Sequence, residues 1–169
     1  MRKAILLLCV GLASVAAGPA AFDPGRIAGR YSRHFLNGLV DGSKYWSDDV
    51  LEIVPLDRQR AYFRAELQFY NGHQCSIFGV AHADATGLVY REPEANTDGS
   101  HCVLHIRETA AGVRLQDDQS CHDHCGARGT LNGDDFDRKS RRPITYMDRL
   151  KRSSEFQDAL AEDRGEKSK

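Results

Sequence analysis

The segment best equipped for chemistry is Cys121-His122-Asp123-His124-Cys125, which places two thiols, two imidazoles and a carboxylate within five residues. Cysteine thiolates and histidine nitrogens are the usual ligands of zinc in proteins. A single C-x-x-x-C spacing, however, differs from the paired C-x-x-C or H-x-x-x-H arrangements of common zinc modules. In an exported protein these thiols would be oxidised. We therefore expect a disulfide flanked by loop histidines here, with no bound metal and no cofactor.

The first 21 residues have the pattern of a secretory signal peptide. Arg2 and Lys3 precede an uncharged, largely apolar run over residues 4–16, and small residues follow. This run is too short to span a bilayer. We expect cleavage after Ala17 or Ala21, export to the periplasm or secretion beyond it, and no transmembrane segment.

Four cysteines remain once the signal peptide is removed: Cys75, Cys102, Cys121 and Cys125. An even number in an exported chain predicts two disulfides. The preferred pairing is Cys75–Cys102 with Cys121–Cys125, because the first would join the starts of two predicted strands and the second would close a small loop. The alternative, Cys102–Cys121 with Cys75–Cys125, stays open, because Cys102 and Cys121 lie nearly opposite if a hairpin turns around Ala110.

The mature chain of about 150 residues is long enough for one domain with a single core. Removal of the signal peptide leaves 21 basic and 24 acidic side chains. This slightly acidic balance indicates no general affinity for nucleic acid or for an anionic membrane. We therefore expect no nucleic-acid partner.

The most regular stretch of the chain, residues 61–82, predicts a β-hairpin. Apolar side chains alternate with polar ones before the turn, which is the period-2 pattern of a half-buried strand. Asn71-Gly72 tolerates the positive φ of a tight turn. The positions that share the inner face are Phe63, Ala65, Leu67 and Phe69 before the turn, and Cys75, Ile77, Gly79 and Ala81 after it.

Further short strands surround this hairpin. They are predicted near residues 29–36, 50–54, 88–90, 102–107, 113–116 and 125–131. Short strands joined by turns, with no helical period between them, favour an all-β protein. We expect an antiparallel barrel or curved meander of about eight strands, because closure into a barrel removes exposed edges.

The chain divides into a barrel over residues 22–139, short helices over residues 140–162 and a charged tail over residues 163–169. Pro143 suits a first helical position, and Ser154 with Gln157 predicts a capping box for a second helix. The tail contains no apolar residue and is expected to be disordered.

Turns supply the candidate binding residues, because loops on a rigid scaffold commonly carry function. Residues 42–46 combine a hydroxyl, an ammonium group and two aromatic rings, although both rings would equally suit the core. No nucleophile elbow or glycine-rich phosphate loop is present, so we expect no catalytic residues and no enzymatic activity. The candidate partner-binding residues are Ser43, Lys44, Tyr45, His73 and Arg128.

Gly29-Arg30-Tyr31 on the first strand, the strand meander and the closing segment from Cys125 to Gly133 resemble small periplasmic β-barrels of the lysozyme-inhibitor type, which are calycin-like in shape. That resemblance implies a protein that blocks muramidases by inserting a loop into the catalytic cleft. The Ser-Gly motif that some such inhibitors insert is reversed here as Gly42-Ser43.

The resemblance implies a lysozyme-like cell-wall hydrolase as the partner. An immunity protein that guards a bacterium against a rival's hydrolase would look similar. Lys44 and Arg128 would then pair with the carboxylates that glycosidases use for catalysis. The alternative is a small-molecule carrier, which requires a partly empty barrel interior.

Overall fold

The computed structural model describes residues 21–166 and shows eight antiparallel strands in a nearly closed barrel, followed by two short helices. The predicted fold class is confirmed. Each strand pairs with the next one along the chain. The strands are β1 (Gly29–Gly38), β2 (Lys44–Pro55), β3 (Arg60–Gln68), β4 (Gln74–Ala83), β5 (Gly87–Ala95), β6 (His101–Glu108), β7 (Gly112–Gln116) and β8 (Asp135–Asp137).

The predicted signal peptide lies almost entirely outside the described residues. Among residues 21–166, neither helix has the length and apolar content that crossing a membrane requires.

The barrel interior is filled by alternate side chains of neighbouring strands, as the period-2 pattern predicts. Phe63, Ala65 and Leu67 are fully buried on β3, whereas Phe69 lies just beyond the strand and is partly buried against the core. Burial of one such large apolar side chain stabilises a fold by about 1.5–3 kcal/mol. The same core includes Leu51, Ile53, Ile77, Ala81, Leu104, Ile106, Val113 and Leu115 from four other strands.

Three positions on the central hairpin restrict the type of residue that they can hold. Asn71 and Gly72 have φ values of 62° and 72°, in the left-handed region that Asn and Gly tolerate best. On β4, a Cβ atom at Gly79 would lie 2.3 Å from the ring of Tyr90. Gly79 therefore makes room for Tyr90, whose ring packs edge-on against Phe63.

The barrel closes between β1 and the chain that follows β8. Arg30 and Arg142 exchange two backbone hydrogen bonds, of 2.9 and 2.8 Å. Further along β1, the Arg33 guanidinium donates to Asp49 at 2.8 Å and to Asp134 at 2.7 Å. Asp49 is fully buried, and charge-assisted hydrogen bonds compensate such burial. Side chains therefore bridge the part of the barrel where β1 and β8 form no ladder in the described structure.

The last strand lies later in the chain than predicted. Residues 125–131 form part of a long loop over residues 117–134, and β8 occupies Asp135–Asp137 instead. The predicted strand is wrong because this segment packs across the barrel end beside a disulfide. A Cβ atom at Gly129 would lie 2.7 Å from Sγ of Cys75.

The two disulfides are Cys75–Cys125 and Cys102–Cys121. The preferred pairing is therefore wrong and the alternative is correct. Cys75 begins β4 and Cys102 begins β6, so β5 separates them. The loop over residues 117–134 crosses both strand ends and presents one cysteine to each. Two disulfides fit an oxidising, extracellular type of compartment.

Helices α1 (Met147–Lys151) and α2 (Ser154–Asp163) cover the outer face of the central strands. The ring of Phe156 lies 4.5 Å from that of Tyr62 on β3. A second apolar cluster forms there, separate from the barrel core. Its buried members are Val54, Tyr62, Val80, Leu150, Phe156 and Ala159.

The helix starts differ from those predicted. Helix α1 begins at Met147 rather than at Pro143. The N-cap of α2 is Ser153, whose hydroxyl accepts from the Phe156 amide at 3.3 Å. Ser154 is already helical, so it does not cap the helix.

Part of the predicted disordered tail belongs to α2. Asp163 is the last residue of that helix. Its carboxylate contacts Arg60 at 2.5 Å and His82 at 2.8 Å. These contacts tie the helix end to β3 and β4. Residues 167–169 lie outside the described residues.

Candidate functional site

The β1–β2 hairpin extends beyond the neighbouring strand. β1 and β2 pair as far as Gly38 and Lys44, whereas the β2–β3 ladder begins only at Val50 and Glu66. The turn is closed by a hydrogen bond from Leu39 N to the Ser43 carbonyl. The half of the hairpin nearest its turn therefore extends past the β2–β3 ladder, and the chain after β3 packs against it.

Four large hydrophobic side chains are exposed among residues 21–166, and all four lie on or against this hairpin. They are Leu36 (50% exposed), Val40 (71%), Trp46 (64%) and Tyr70 (44%). Leu36 and Trp46 are register partners, so they share the outer face of the hairpin. We name these four residues the hairpin patch. Contiguous exposed apolar side chains of this kind mark interaction surfaces.

Trp46 is held in place from one side. The His34 ring stacks on it at a centroid distance of 4.5 Å and an interplanar angle of 9°. His34 in turn contacts Asp48 through Nδ1 at 2.8 Å. A fixed aromatic ring loses little conformational entropy when a partner binds.

Tyr70 supports the hairpin from the β3–β4 turn. Its hydroxyl donates to the Leu39 carbonyl at 2.8 Å. Its ring lies so close to Gly38 that a Cβ atom there would be 3.3 Å from it. The Arg128 guanidinium lies 5.9 Å from the centre of the same ring. Tyr70 thus joins three chain segments at one end of the barrel.

The long loop that carries Arg128 is braced against the same end. Two disulfides fasten this loop, and its Asp123 carboxylate also accepts a hydrogen bond from the Thr97 amide at 2.9 Å. His124 contacts Glu92 on β5 at 3.0 Å. The hydrogen bond with Glu92 raises the pKa of His124, against the lowering effect of burial. The hairpin patch therefore stands beside a covalently fastened loop.

The predicted contact residues lie at this end of the barrel but not all face outwards. Ser43 lies in the turn, where its hydroxyl donates to Asp41, and Lys44 is the exposed first residue of β2. Tyr45 is half-buried, because alternation places it on the opposite face from Trp46. The predicted turn over residues 42–46 is therefore shorter than expected.

His73 and Arg128 flank neighbouring segments. A Cβ atom at Gly126 would lie 3.0 Å from Nδ1 of His73, so the histidine packs against the long loop. Arg128 reaches Tyr70 instead. Of the five predicted residues, Arg128 contacts the hairpin patch at Tyr70, and Lys44 is exposed on the same face of β2 as Trp46.

The patch itself was missed by sequence reasoning. A signal was present in β1, where His34 and Leu36 alternate with Arg33 and Phe35. The strand was predicted to end near Leu36, so the extension of the hairpin was not anticipated.

The Cys121–Cys125 segment does not provide a four-ligand metal centre. Both sulfur atoms are in disulfides, so neither is a thiolate. His122 contacts the Gln119 carbonyl, whereas His124 turns towards Glu92. Donor atoms of Glu92, Cys102 and His124 lie within 4.8 Å of one another. Because Cys102 is in a disulfide, only one oxygen ligand from Glu92 and one nitrogen ligand from His124 remain. Zinc in proteins usually takes four ligands.

An acidic groove of about 330 Å³ runs between β5 and α2. Burial raises the pKa of Glu162, and the neighbouring Glu92 and Glu94 add to the effect. The Tyr90 hydroxyl donates to Glu162 at 3.2 Å through the gap between β4 and β5. The groove carboxylates are Glu92, Glu94, Asp158, Glu162 and Glu166.

No protein family, curated protein or solved structure matches the chain.

Proposed function

We propose that this chain is an exported, periplasmic binding protein that inhibits or neutralises another protein, with a lysozyme-like cell-wall hydrolase as its target. The choice of target rests on the resemblance of the strand meander and the Cys125–Gly133 segment to lysozyme-inhibitor barrels. The two disulfides are consistent with the compartment in which such hydrolases act.

The observation that carries the proposal is the concentration of exposed apolar side chains in the hairpin patch. Leu36 and Trp46 lie side by side on the extended hairpin, with Val40 in its turn and Tyr70 packed next to that turn. Tryptophan and tyrosine side chains are enriched among the few residues that dominate the binding energy of protein interfaces. Binding of a folded partner is therefore the function that the geometry supports best.

The frame around the patch favours tight binding. Disulfides fasten the loop over residues 117–134 to β4 and β6, and Tyr70 links that end to the hairpin. A rigid surface loses less conformational entropy on association than a mobile one.

Charge beside the patch suits a glycosidase cleft. Lys44 is exposed where the turn ends, and Arg128 lies over Tyr70. Glycosidases catalyse hydrolysis with a pair of carboxyl groups. If the hairpin patch bound in such a cleft, Lys44 or Arg128 would neutralise the charge of one of these carboxyl groups.

The interior packing favours this function over a small-molecule carrier. Tyr31, Phe63, Leu67, Leu104 and Ile106 point into one continuous core and are at most 2% exposed. A carrier barrel of this strand number needs interior space for its ligand.

The test is a muramidase assay against a panel of lysozyme-like enzymes, with and without the mature, oxidised protein. We expect inhibition of at least one enzyme. Trp46→Ala and Leu36→Ala should each weaken it by about tenfold or more, because truncation of an interface anchor costs about 2 kcal/mol.

Val103→Ala is the matched control, since Val103 is a half-buried outward side chain on β6, away from the hairpin. It should leave inhibition unchanged. Failure of the protein to inhibit or to form a complex with any enzyme of the panel would refute the proposal. Unaltered inhibition by both patch variants would instead refute the assignment of the surface.

A further inference from the structure

Strands β4 and β5 separate over most of their length. Within the described chain β4 pairs with β5 only at His82 and Ala83, whereas β3 pairs with β4 along the whole of β3. Helix α2 lies over the opening, and a cleft of about 540 Å³ remains between the helix and the two strands. Clefts of this size that combine apolar and polar side chains are the usual sites of small ligands in proteins.

The cleft lies outside the packed barrel interior and has an apolar lining. Val80 on β4 and Ala159 on α2 are buried members of the second apolar cluster. Val89 on β5 also lines the cleft, because alternation directs Leu88 into the barrel and Val89 away from it. These side chains offer an apolar surface to an alkyl chain.

Most charged groups around the cleft already have partners. The Asp84 carboxylate accepts from the Arg107 guanidinium at 2.7 Å. The Asp163 carboxylate contacts both Arg60 and His82. The charges of these groups are therefore compensated within the protein.

Arg91 and Glu162 are the two charged side chains of the cleft without a counterion. In residues 21–166 neither has an oppositely charged group within 4.0 Å. Arg91 belongs to β5 and Glu162 to α2, so they line the cleft from different elements. Burial raises the pKa of Glu162, and the charges of Glu92 and Glu94 raise it further, although the hydrogen bond from Tyr90 acts against this. A cation in the cleft would therefore stabilise the ionised form of Glu162.

His105 adds a hydrogen-bond donor to the same cleft as Arg91. Its Nδ1 contacts the Arg107 guanidinium, which can only donate. The ring proton is therefore on Nε2, and Nε2 has no hydrogen-bond partner among the described residues. Burial lowers the pKa of His105, and the charges of Arg107 and Arg91 lower it further, so the ring stays neutral. The Nε2–H and the Arg91 guanidinium together suit a carboxylate.

We propose that the cleft between β4, β5 and α2 binds a small molecule whose carboxylate and ammonium group are joined by an alkyl chain, as in lysine. The carboxylate pairs with Arg91 and His105, the ammonium group pairs with Glu162, and the alkyl chain packs on the apolar lining. A ligand with only one of the two charges would leave the other protein group unpaired. This inference goes beyond the proposed function, because the cleft contains no residue of the hairpin patch.

The probe is ε-aminocaproate, with caproate and hexylamine as matched compounds that each lack one charge. Heteronuclear NMR titration of the mature, oxidised protein measures both the affinity and the location of binding. We expect saturable shifts of the amides of Val89, Arg91 and Glu162. Caproate and hexylamine should each bind at least about tenfold more weakly than ε-aminocaproate, because each forms only one of the two charge-assisted contacts.

Two conservative substitutions test the two ends of the cleft separately. Arg91→Gln should weaken ε-aminocaproate binding by about tenfold and leave hexylamine binding unchanged. Glu162→Gln keeps an acceptor for the Tyr90 hydroxyl, and it should weaken both ε-aminocaproate and hexylamine by about tenfold while caproate binding stays the same. Arg152→Gln is the matched control, since Arg152 is an exposed arginine between α1 and α2 that does not line the cleft. It should leave all three affinities unchanged.

The unliganded spectra of the variants show whether the fold is kept, and Arg91→Gln, at an exposed position, tests the proposal even if Glu162→Gln unfolds. Equal affinities of the wild type for the three compounds, shifts confined to other parts of the protein, or unaltered binding of ε-aminocaproate by Arg91→Gln would each overturn the proposal. L-lysine and Nα-acetyl-L-lysine then identify the source of the ligand. Tighter binding of L-lysine indicates a free amino acid, and tighter binding of the acetylated compound indicates the C-terminal lysine of a peptide.

Discussion

One face of strand β2 has two different environments along its length. Near the end of the strand, Glu52 and Val54 point outwards and are 0% and 4% exposed, because Tyr146 covers Glu52 and helices α1 and α2 cover Val54. Near its start, Trp46 points outwards on the same face and is 64% exposed. The side chains of both halves point in the same direction, and the two halves differ only in whether the C-terminal segment packs over them.

The covered half is built as a second core. Val54 packs with Phe156 and Leu150, and the Glu52 carboxylate accepts a hydrogen bond from the Tyr146 hydroxyl while it also lies 3.3 Å from Arg64. The uncovered half has an apolar side chain of comparable size in Trp46, but no helix of residues 21–166 covers it and only the exposed His34 ring stacks on it. The chain therefore uses one half for its own stability and leaves the other half exposed, where we propose that a second molecule binds.

The largest effect should come from the covered half. Phe156→Ala should lower the free energy of unfolding by about 3–5 kcal/mol, because it leaves a cavity against Tyr62. Urea unfolding followed by far-ultraviolet circular dichroism measures the change. Asp158→Ala, at an exposed position on the same helix, should change the stability by at most about 0.5 kcal/mol. Similar values for both would mean that the helices are not a structural cover.

A smaller, pH-dependent effect should come from the loop beside the uncovered half. The hydrogen bond with Glu92 raises the pKa of His124, so the folded state favours the protonated ring. Its stabilisation is fully present below the unfolded-state pKa of about 6.5 and is lost as the pH rises through the higher folded-state value. His124→Ala should therefore cost about 1 kcal/mol at pH 5.5 and distinctly less at pH 8.5.

The double-mutant cycle with Glu92→Gln isolates this contact. In the Glu92→Gln background, the cost of His124→Ala should lose its pH dependence. A pH dependence that persists there would assign the stabilisation to other groups around the loop.

The barrel could be predicted from the sequence because its signal is local and repeated. The alternation at Phe63, Ala65 and Leu67, and again at Leu104 and Ile106, requires no knowledge of distant residues. The prediction of a strand over residues 125–131 was wrong because the path of this segment is set by distant residues. Its path depends on disulfides to β4 and β6, and cysteine count alone does not determine pairing.

The candidate site was predicted less well, because exposure depends on what covers a strand from elsewhere in the chain. Tyr45 and Trp46 look alike in sequence, yet the register with Asn37 and Leu36 turns one ring inwards and the other outwards. Val54 and Trp46 share a face, and a helix about a hundred residues away decides which of them is buried. Lys44 and Arg128 were chosen because turns with cations are recognisable locally, and their role in binding stays a prediction.

The smallest effect on stability should come from the largest exposed ring. Trp46→Ala should change the free energy of unfolding by at most about 0.5 kcal/mol, because most of the ring already faces water and its main contact is the exposed His34. Urea unfolding under the conditions used for Phe156→Ala gives the direct comparison.

Trp46 is the only tryptophan in the sequence, so its fluorescence also reports burial when a partner binds, through a shift of the emission to shorter wavelength. A loss of stability above about 2 kcal/mol would place the hairpin face within the folding core and remove the distinction between the two halves of β2. A small loss of stability together with the emission shift would show that the face serves binding and not folding.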